Sequence, residues 1–173
     1  HVVQYLVDVA RADVSVSDKE GHTALYHAVL TGTADSIRVL AAAGAVLGSN
    51  AEISEMMCRT GASGNDDMLG RLLSAKADPD AADYDRRTAL HLSAAEGKLG
   101  SVRLLVDAGA TLEFKDRWGV DALIEATKHD QFEVAKFLIG RGASTTAEDN
   151  EGKTALQYAR QSSNSCLALL EGA

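Results

Sequence analysis

Five histidines, two cysteines and one dense acidic turn are the residues of this chain that could do chemistry. A histidine could act as a general base or, with a cysteine or carboxylate at helical or turn spacing, as a metal ligand. His22, His27 and His129 fall near the ends of turns or helices, and none reads as having a cysteine or acid partner at ligand spacing. His91 stands inside Thr88-Ala89-Leu90-His91. Asp83-Tyr84-Asp85 offers oxygen to a cation but lacks the ligand run of a calcium loop, so it reads as a solvated turn. Cys58 and Cys166 are too far apart to read as a Cys-x-x-Cys pair, and neither His-Glu-x-x-His nor a glycine-rich phosphate loop occurs. With no motif that carries a mechanism, the expectation is a non-catalytic chain holding no cofactor and no metal.

The elements around these residues repeat. The stretch DYDRRTALHLSAAEG, 83–97, shares its offsets with Asp18, Gly21, Thr23 and Leu25 upstream. Downstream it is matched by Asp116, Gly119, Ala122 and Leu123, and by Asp149, Gly152, Thr154 and Leu156. Asp83 to Asp116 is 33 residues and so is Asp116 to Asp149, while Asp18 to Asp83 is 65, two units less one residue. A fixed period of this size marks stacked supersecondary units, each too small to bury its own apolar face.

The period of 33 with Thr-x-Leu-His resembles the ankyrin-repeat family over nearly the whole chain. The pairing of DYDRRTALHLSAAEG with KDRWG resembles in particular the ankyrin tails of glutaminase-type enzymes, plant-type potassium channels and ankyrin kinases. The resemblance implies an all-α solenoid of helix-turn-helix units joined by short hairpin-like turns. It also implies that His91 ties its helix start to the backbone of a neighbouring turn.

Taken in order, a single solenoid over 1–173 divides into a partial repeat at 1–17, repeats at 18–50, 51–82, 83–115 and 116–148, and a terminal capping repeat at 149–173. The run from His1 to Ala10 reads as a second helix with Ala10-Arg11 where other units carry Gly-Ala. In 18–50, Thr23 caps the first helix, Leu25 and Ala28 face inward, and Ile37, Val39 and Leu40 form the second helix's buried stripe. The segment 51–82 is degenerate, with no Thr-x-Leu-His; it is either a weak unit held by its neighbours or a local deformation. Lys76, Arg86 and Asp130 stand where glycine is expected. Asp121 replaces the capping threonine, with the helix dipole favouring its charge. Val102, Leu104 and Leu105, then Val134, Phe137 and Leu138, continue the apolar stripes. The last unit ends in a polar joint at Gln161-Ser162-Ser163-Asn164-Ser165 and a short helix from Cys166 to Glu171.

Composition narrows the partners. Of 173 residues 46% are apolar and only 5% aromatic, which suits close packing of short helices. A net charge of −8 without a basic run argues against nucleic acid and against an anionic membrane surface. No window approaches the roughly 18 apolar residues of a membrane span. Two distant thiols read as reduced, in the cytoplasm or another reducing compartment.

What remains is recognition of a protein partner. The resemblance places variable contacts one, two and four residues after each unit's aspartate and near the end of its first helix. In the first unit those are Lys19, Glu20, His22, Leu30 and Thr31; the better-matched units give Tyr84, Asp85, Arg87 and Glu96, then Arg117, Trp118, Val120, Lys128 and His129, then Asn150, Glu151 and Lys153. Arg86, Arg87, Arg117 and Trp118 would form an aromatic–basic ridge, the composition that dominates binding hot spots. The alternative is that Trp118 folds over its own turn. The expected function is a scaffold that binds a protein on its concave face, or else a regulatory or assembly domain appended to a larger enzyme or channel.

Overall fold

The structure is a computed structural model that describes residues 2–162 and 164–172. His1 and Ser163, which belong to two of the segments read above, lie outside the described residues, as does Ala173.

Eleven α-helices occur among the described residues, and they alternate between two stacks. Helices α2 (Ala24–Thr31), α4 (Asn50–Ser63), α6 (Ala89–Ala95), α8 (Ala122–Lys128) and α10 (Ala155–Ser162) are the first helices of successive pairs. Helices α1 (Val2–Asp8), α3 (Ala34–Ala42), α5 (Asp66–Ser74), α7 (Leu99–Asp107), α9 (Phe132–Gly140) and the short α11 (Leu167–Glu171) form the second stack. In the second stack α1, α3, α5, α7 and α9 pack in sequence, each on its neighbour. In the first stack α4 packs on α6, α6 on α8 and α8 on α10, whereas α2 also reaches α5.

Each helix pair buries one leucine-rich seam. Leu25, Ile37, Leu69, Leu72, Leu105 and Leu138 are fully buried, and Leu90 and Leu123 nearly so. The helices are too short to persist alone in water, so this burial between neighbours is what holds them. Alanine, glycine and serine let the stacks approach closely. At Gly61 an added Cβ would stand 2.8 Å from the carbonyl oxygen of Ala89, on the facing helix. Val39, Leu104 and Phe137 are only partly buried, on the flank of the seams rather than in them.

The first helices begin as their sequences direct. The Thr23 hydroxyl accepts from the Tyr26 amide at 3.3 Å and donates to the Val46 carbonyl at 2.6 Å. Thr154 and Gln157 cap each other reciprocally, each side chain accepting the other's backbone N–H. Asp121 accepts from the Ile124 amide at 2.9 Å. Its charge is less favoured than the dipole argument implies: burial raises the carboxyl above its ordinary 3.8, against the lowering effect of that amide.

Between pairs the chain projects as narrow fingers. Isolated antiparallel bridges close them at Ser17–Thr23, Ala82–Thr88 and Glu148–Thr154. One rule builds every finger. The leading aspartate's Oδ1 accepts the amides two and four residues on: Glu20 and His22 for Asp18, Asp85 and Arg87 for Asp83, Trp118 and Val120 for Asp116, Glu151 and Lys153 for Asp149. The later fingers also bond sideways, Arg117 N to Asp85 O at 3.0 Å and Asn150 N to Trp118 O at 2.9 Å.

The degenerate segment departs from this plan in a definite way. Ala51 supplies no aspartate, and the chain runs instead into the 14-residue α4, twice the length of α6 and α8. Met56, Met57 and Cys58 fill its buried face. The finger of Asp18 is therefore set apart from the rank formed by the fingers of Asp83, Asp116 and Asp149.

Left-handed backbone falls on Lys76 (φ 61°), Arg86 (φ 60°) and Asp130 (φ 55°), as their places in the repeat require. At the start of the chain it falls on Arg11 (φ 54°), one residue beyond the Ala10 that the alignment sets in the glycine position. The polar joint is likewise shorter than expected: Gln161 and Ser162 complete α10, and the terminal helix starts at Leu167 with Cys166 as its cap.

Candidate functional site

His91 is buried and has no access to solvent chemistry. Its Nδ1 accepts from the Thr88 amide at 3.2 Å and meets the Thr88 hydroxyl at 2.9 Å. The proton therefore sits on Nε2, which donates to the Val120 carbonyl at 3.0 Å. The imidazole joins one helix start to the next finger, as the resemblance implied.

Asp83 is equally committed. Beyond the two amides on its Oδ1, its Oδ2 accepts the Arg87 Nε at 3.0 Å, and Arg87 Nη2 lies 2.9 Å from the same oxygen. Cys58 and Cys166 are both buried thiols. Cys58 Sγ donates to the Arg87 carbonyl at 3.3 Å, and burial pushes the thiol up to about 11.

The rank of fingers carries the residues picked out for recognition. Tyr84 projects fully from its finger at 95% exposure, and Trp118 is half exposed one finger along. Asp85 binds Arg117 Nη1 at 2.6 Å and lies 3.8 Å from Arg87 Nη2, so two of the three arginines expected to form a basic ridge are paired with carboxylates. The third, Arg86, packs over the Phe114 ring at 5.7 Å. The Arg117 guanidinium also stacks over the Trp118 ring, 5.2 Å from its centre. Two of the three positive charges expected there are thus neutralised.

Beside it lies a cleft of about 550 Å³ between the fingers of Asp116 and Asp149 and the helices α8 and α10. Arg87, Trp118, Lys128, His129, Asn150 and Glu151 are among the residues that line it. Lys128 and His129 both face Glu125, at 3.0 and 3.3 Å, and Lys153 faces Glu151 at 2.8 Å. Glu96 is exposed at the end of α6, away from this cleft. Val120 requires correction as a contact residue: its side chain is 3% exposed at the cleft floor, and its carbonyl serves His91.

Two wall residues were missed from sequence, Glu125 and Tyr158. Tyr158 donates to Asp149 Oδ2 at 2.5 Å, and that bond to a carboxylate with the burial of the ring raises its hydroxyl to about 12. Both stand nine residues after the finger aspartate, on the first turns of α8 and α10. A register count of nine, rather than one, two and four, would have found them.

A second correction concerns the histidines near the amino-terminal finger. His27 Nε2 lies 2.8 Å from Asp18 Oδ2, and His22 Nδ1 lies 4.0 Å from the same oxygen. His22 Nε2 is 3.3 Å from Glu52 Oε1. Acid partners at ligand distance are thus present. Folding supplies them: the finger turns Asp18 back over α2, and α4 brings Glu52 across.

A double stack of short antiparallel helix pairs with finger-like turns is a repeat solenoid whose concave side offers side chains to a partner. A family model described as ankyrin repeats (3 copies) matches residues 56–149, and the chain belongs to the ankyrin-repeat family. Ankyrin repeats are protein-interaction modules. Among curated proteins the chain is similar to the potassium channel GORK of Arabidopsis thaliana, 49% identical over 70 residues that cover 40% of this chain and 8% of the channel. It is 42% identical over 77 residues to the mitochondrial liver isoform of glutaminase from Rattus norvegicus, covering 44% of this chain and 13% of the enzyme. Serine/threonine-protein kinase 12 of Arabidopsis thaliana is 34% identical over 87 residues, half of this chain and 19% of the kinase. The chain thus matches less than a fifth of each of these relatives. No helix among the described residues is long and apolar enough to cross a membrane.

Proposed function

We propose that this chain is a single non-catalytic solenoid, with the repeat boundaries read from the sequence, that binds a protein partner in the cleft beside Trp118. The observation that carries this is a half-exposed tryptophan, the only one in the chain, standing over a cleft of about 550 Å³ whose walls alternate in charge. A large aromatic left half in water gains much by being covered, and rigid ion-paired neighbours lose little entropy when it is. Tyr84, Asp85, Arg87, Arg117, Lys128, His129, Asn150, Glu151 and Lys153 surround this point, and Glu96, farther off at the end of α6, completes the wider contact face. With arginines matched to carboxylates, the surface fits a partner of mixed charge better than a nucleic acid. The buried thiols fit a reducing compartment.

A second reading rests on the comparisons. Each relative named above is a channel or an enzyme of which this chain matches a small share. That supports a regulatory or assembly domain carried by a larger protein, with the same cleft receiving another part of its host.

One experiment tests the main reading. Partners captured by the wild-type chain and by Trp118→Ala are compared, with thermal unfolding measured in parallel. Loss of a partner at unchanged stability supports the cleft as the docking site. Unchanged capture with a lowered Tm would show that Trp118 only covers its own finger.

A further inference from the structure

Position by position, the fingers differ most in what surrounds the free oxygen of the leading aspartate. Four residues on stand His22, Arg87, Val120 and Lys153; nine residues on stand His27, Leu92, Glu125 and Tyr158. In the finger of Asp83 the free oxygen is held by Arg87, and in that of Asp149 by Tyr158. Around Asp18 both positions are imidazoles. Their ligand nitrogens and an Asp18 carboxylate oxygen all lie within 4.8 Å of one another.

We propose that Asp18, His22 and His27 bind a single divalent transition-metal cation of the zinc class. The set is two nitrogens and one oxygen, the donor types that suit Zn²⁺, with a fourth position left for water or a partner's donor. Tetrahedral zinc at its usual bond lengths needs donors about 3.3 Å apart. The observed 2.8 Å from His27 to Asp18 and 4.0 Å from His22 to Asp18 bracket that spacing.

Each donor is already positioned. Asp18 Oδ1 is fixed by the amides of Glu20 and His22 at 2.9 and 3.0 Å, which aims Oδ2 at the histidines. Hydrogen bonding from His27, then from the His22 amide, holds this carboxyl down to about 2, so it is ionised at neutral pH. The His22 ring stacks flat on Tyr26, with centres 4.1 Å apart and planes 4° apart. Glu52 Oε1 faces His22 Nε2 at 3.3 Å and accepts the Tyr26 hydroxyl at 2.7 Å. A carboxylate beside the far nitrogen favours the proton there and leaves the near nitrogen's lone pair free for a metal. Glu52 is thus a positioning residue, supplied by the long helix α4 that replaces the missing finger.

The site is independent of the Trp118 cleft, and its occupancy would pin the isolated finger to α2 and α4. The test is calorimetric titration of ZnCl₂ into the intact chain, alongside His27→Gln, Glu52→Gln and the double histidine variant His22→Gln with His27→Gln. The expected result is one ion per chain, lost in the double histidine variant and weakened about 10- to 100-fold in Glu52→Gln. Thermal unfolding should show a zinc-dependent rise in Tm in the wild type that the double variant lacks. Co²⁺ should give a visible absorption band that His27→Gln removes. His27 is more than half exposed, so His27→Gln leaves the fold intact, which circular dichroism verifies. Absence of zinc binding in the wild type, or equal affinity in wild type and His27→Gln, overturns the proposal.

Discussion

His91 Nε2 donates to the Val120 carbonyl at 3.0 Å, so one buried ring couples the start of α6 to the finger that follows it. Removing it strands the Thr88 amide, while the Val120 carbonyl keeps only the Asp116 amide. An unsatisfied buried polar group costs about 1–3 kcal/mol, and the lost packing adds to that. His91→Ala should therefore lower stability by about 2–4 kcal/mol in urea unfolding. A loss below about 0.5 kcal/mol would mean that the ring is not the tie described.

Backbone strain separates two positions that look alike in sequence. Lys76 and Asp130 both hold left-handed backbone. Lys76 is exposed, so Lys76→Gly relieves strain and should stabilise by up to about 1 kcal/mol. The Asp130 carboxylate instead accepts the Ser165 amide and hydroxyl at 2.8 and 2.6 Å, joining α8 to the terminal unit. Asp130→Gly should be neutral or destabilising, because the lost bonds offset the relieved strain. Chemical denaturation of the two variants side by side checks the difference in sign.

Cys58 makes alkaline pH informative. Its thiol proton is held more tightly in the folded chain than in the unfolded one, with the value raised from 9.0 to about 11. The stabilisation is complete below pH 9 and is lost as pH climbs from 9 towards 11. Stability should fall less steeply over that window in Cys58→Ala than in the wild type. At neutral pH the buried thiol should react with iodoacetamide only after unfolding, which mass spectrometry reads directly.

The Arg117–Asp85 pair decides between stability and recognition. Both groups are accessible, at 52% and 26% side-chain exposure, and exposed pairs contribute roughly 0–1 kcal/mol. Arg117→Glu should shift stability by no more than about 1 kcal/mol while abolishing partner capture. A large fall in Tm without loss of capture would assign the pair to the fold instead.

The sequence alone determined the repeat, the two-stack architecture, the capping threonines, the left-handed positions and the structural role of His91. These follow from spacing along the chain, because a solenoid makes its contacts between neighbours and its period is written in residue order. Some local features were legible only in part: Arg11 rather than Ala10 turned left-handed, and Val120 proved to be floor rather than rim.

Tertiary structure decided what lies between units. That Asp85 would meet two of the ridge's three arginines, and that Tyr158 and Glu125 would wall the cleft, depends on how far one finger sits from the next helix. The zinc-class cluster needed more still. Asp18, His22 and His27 are separated in sequence by a finger and a helical turn, and Glu52 reaches His22 only because α4 replaces a finger with a long helix. Residue order fixes which side chains face the groove; the packing of successive pairs sets the few ångströms that make neighbours of them.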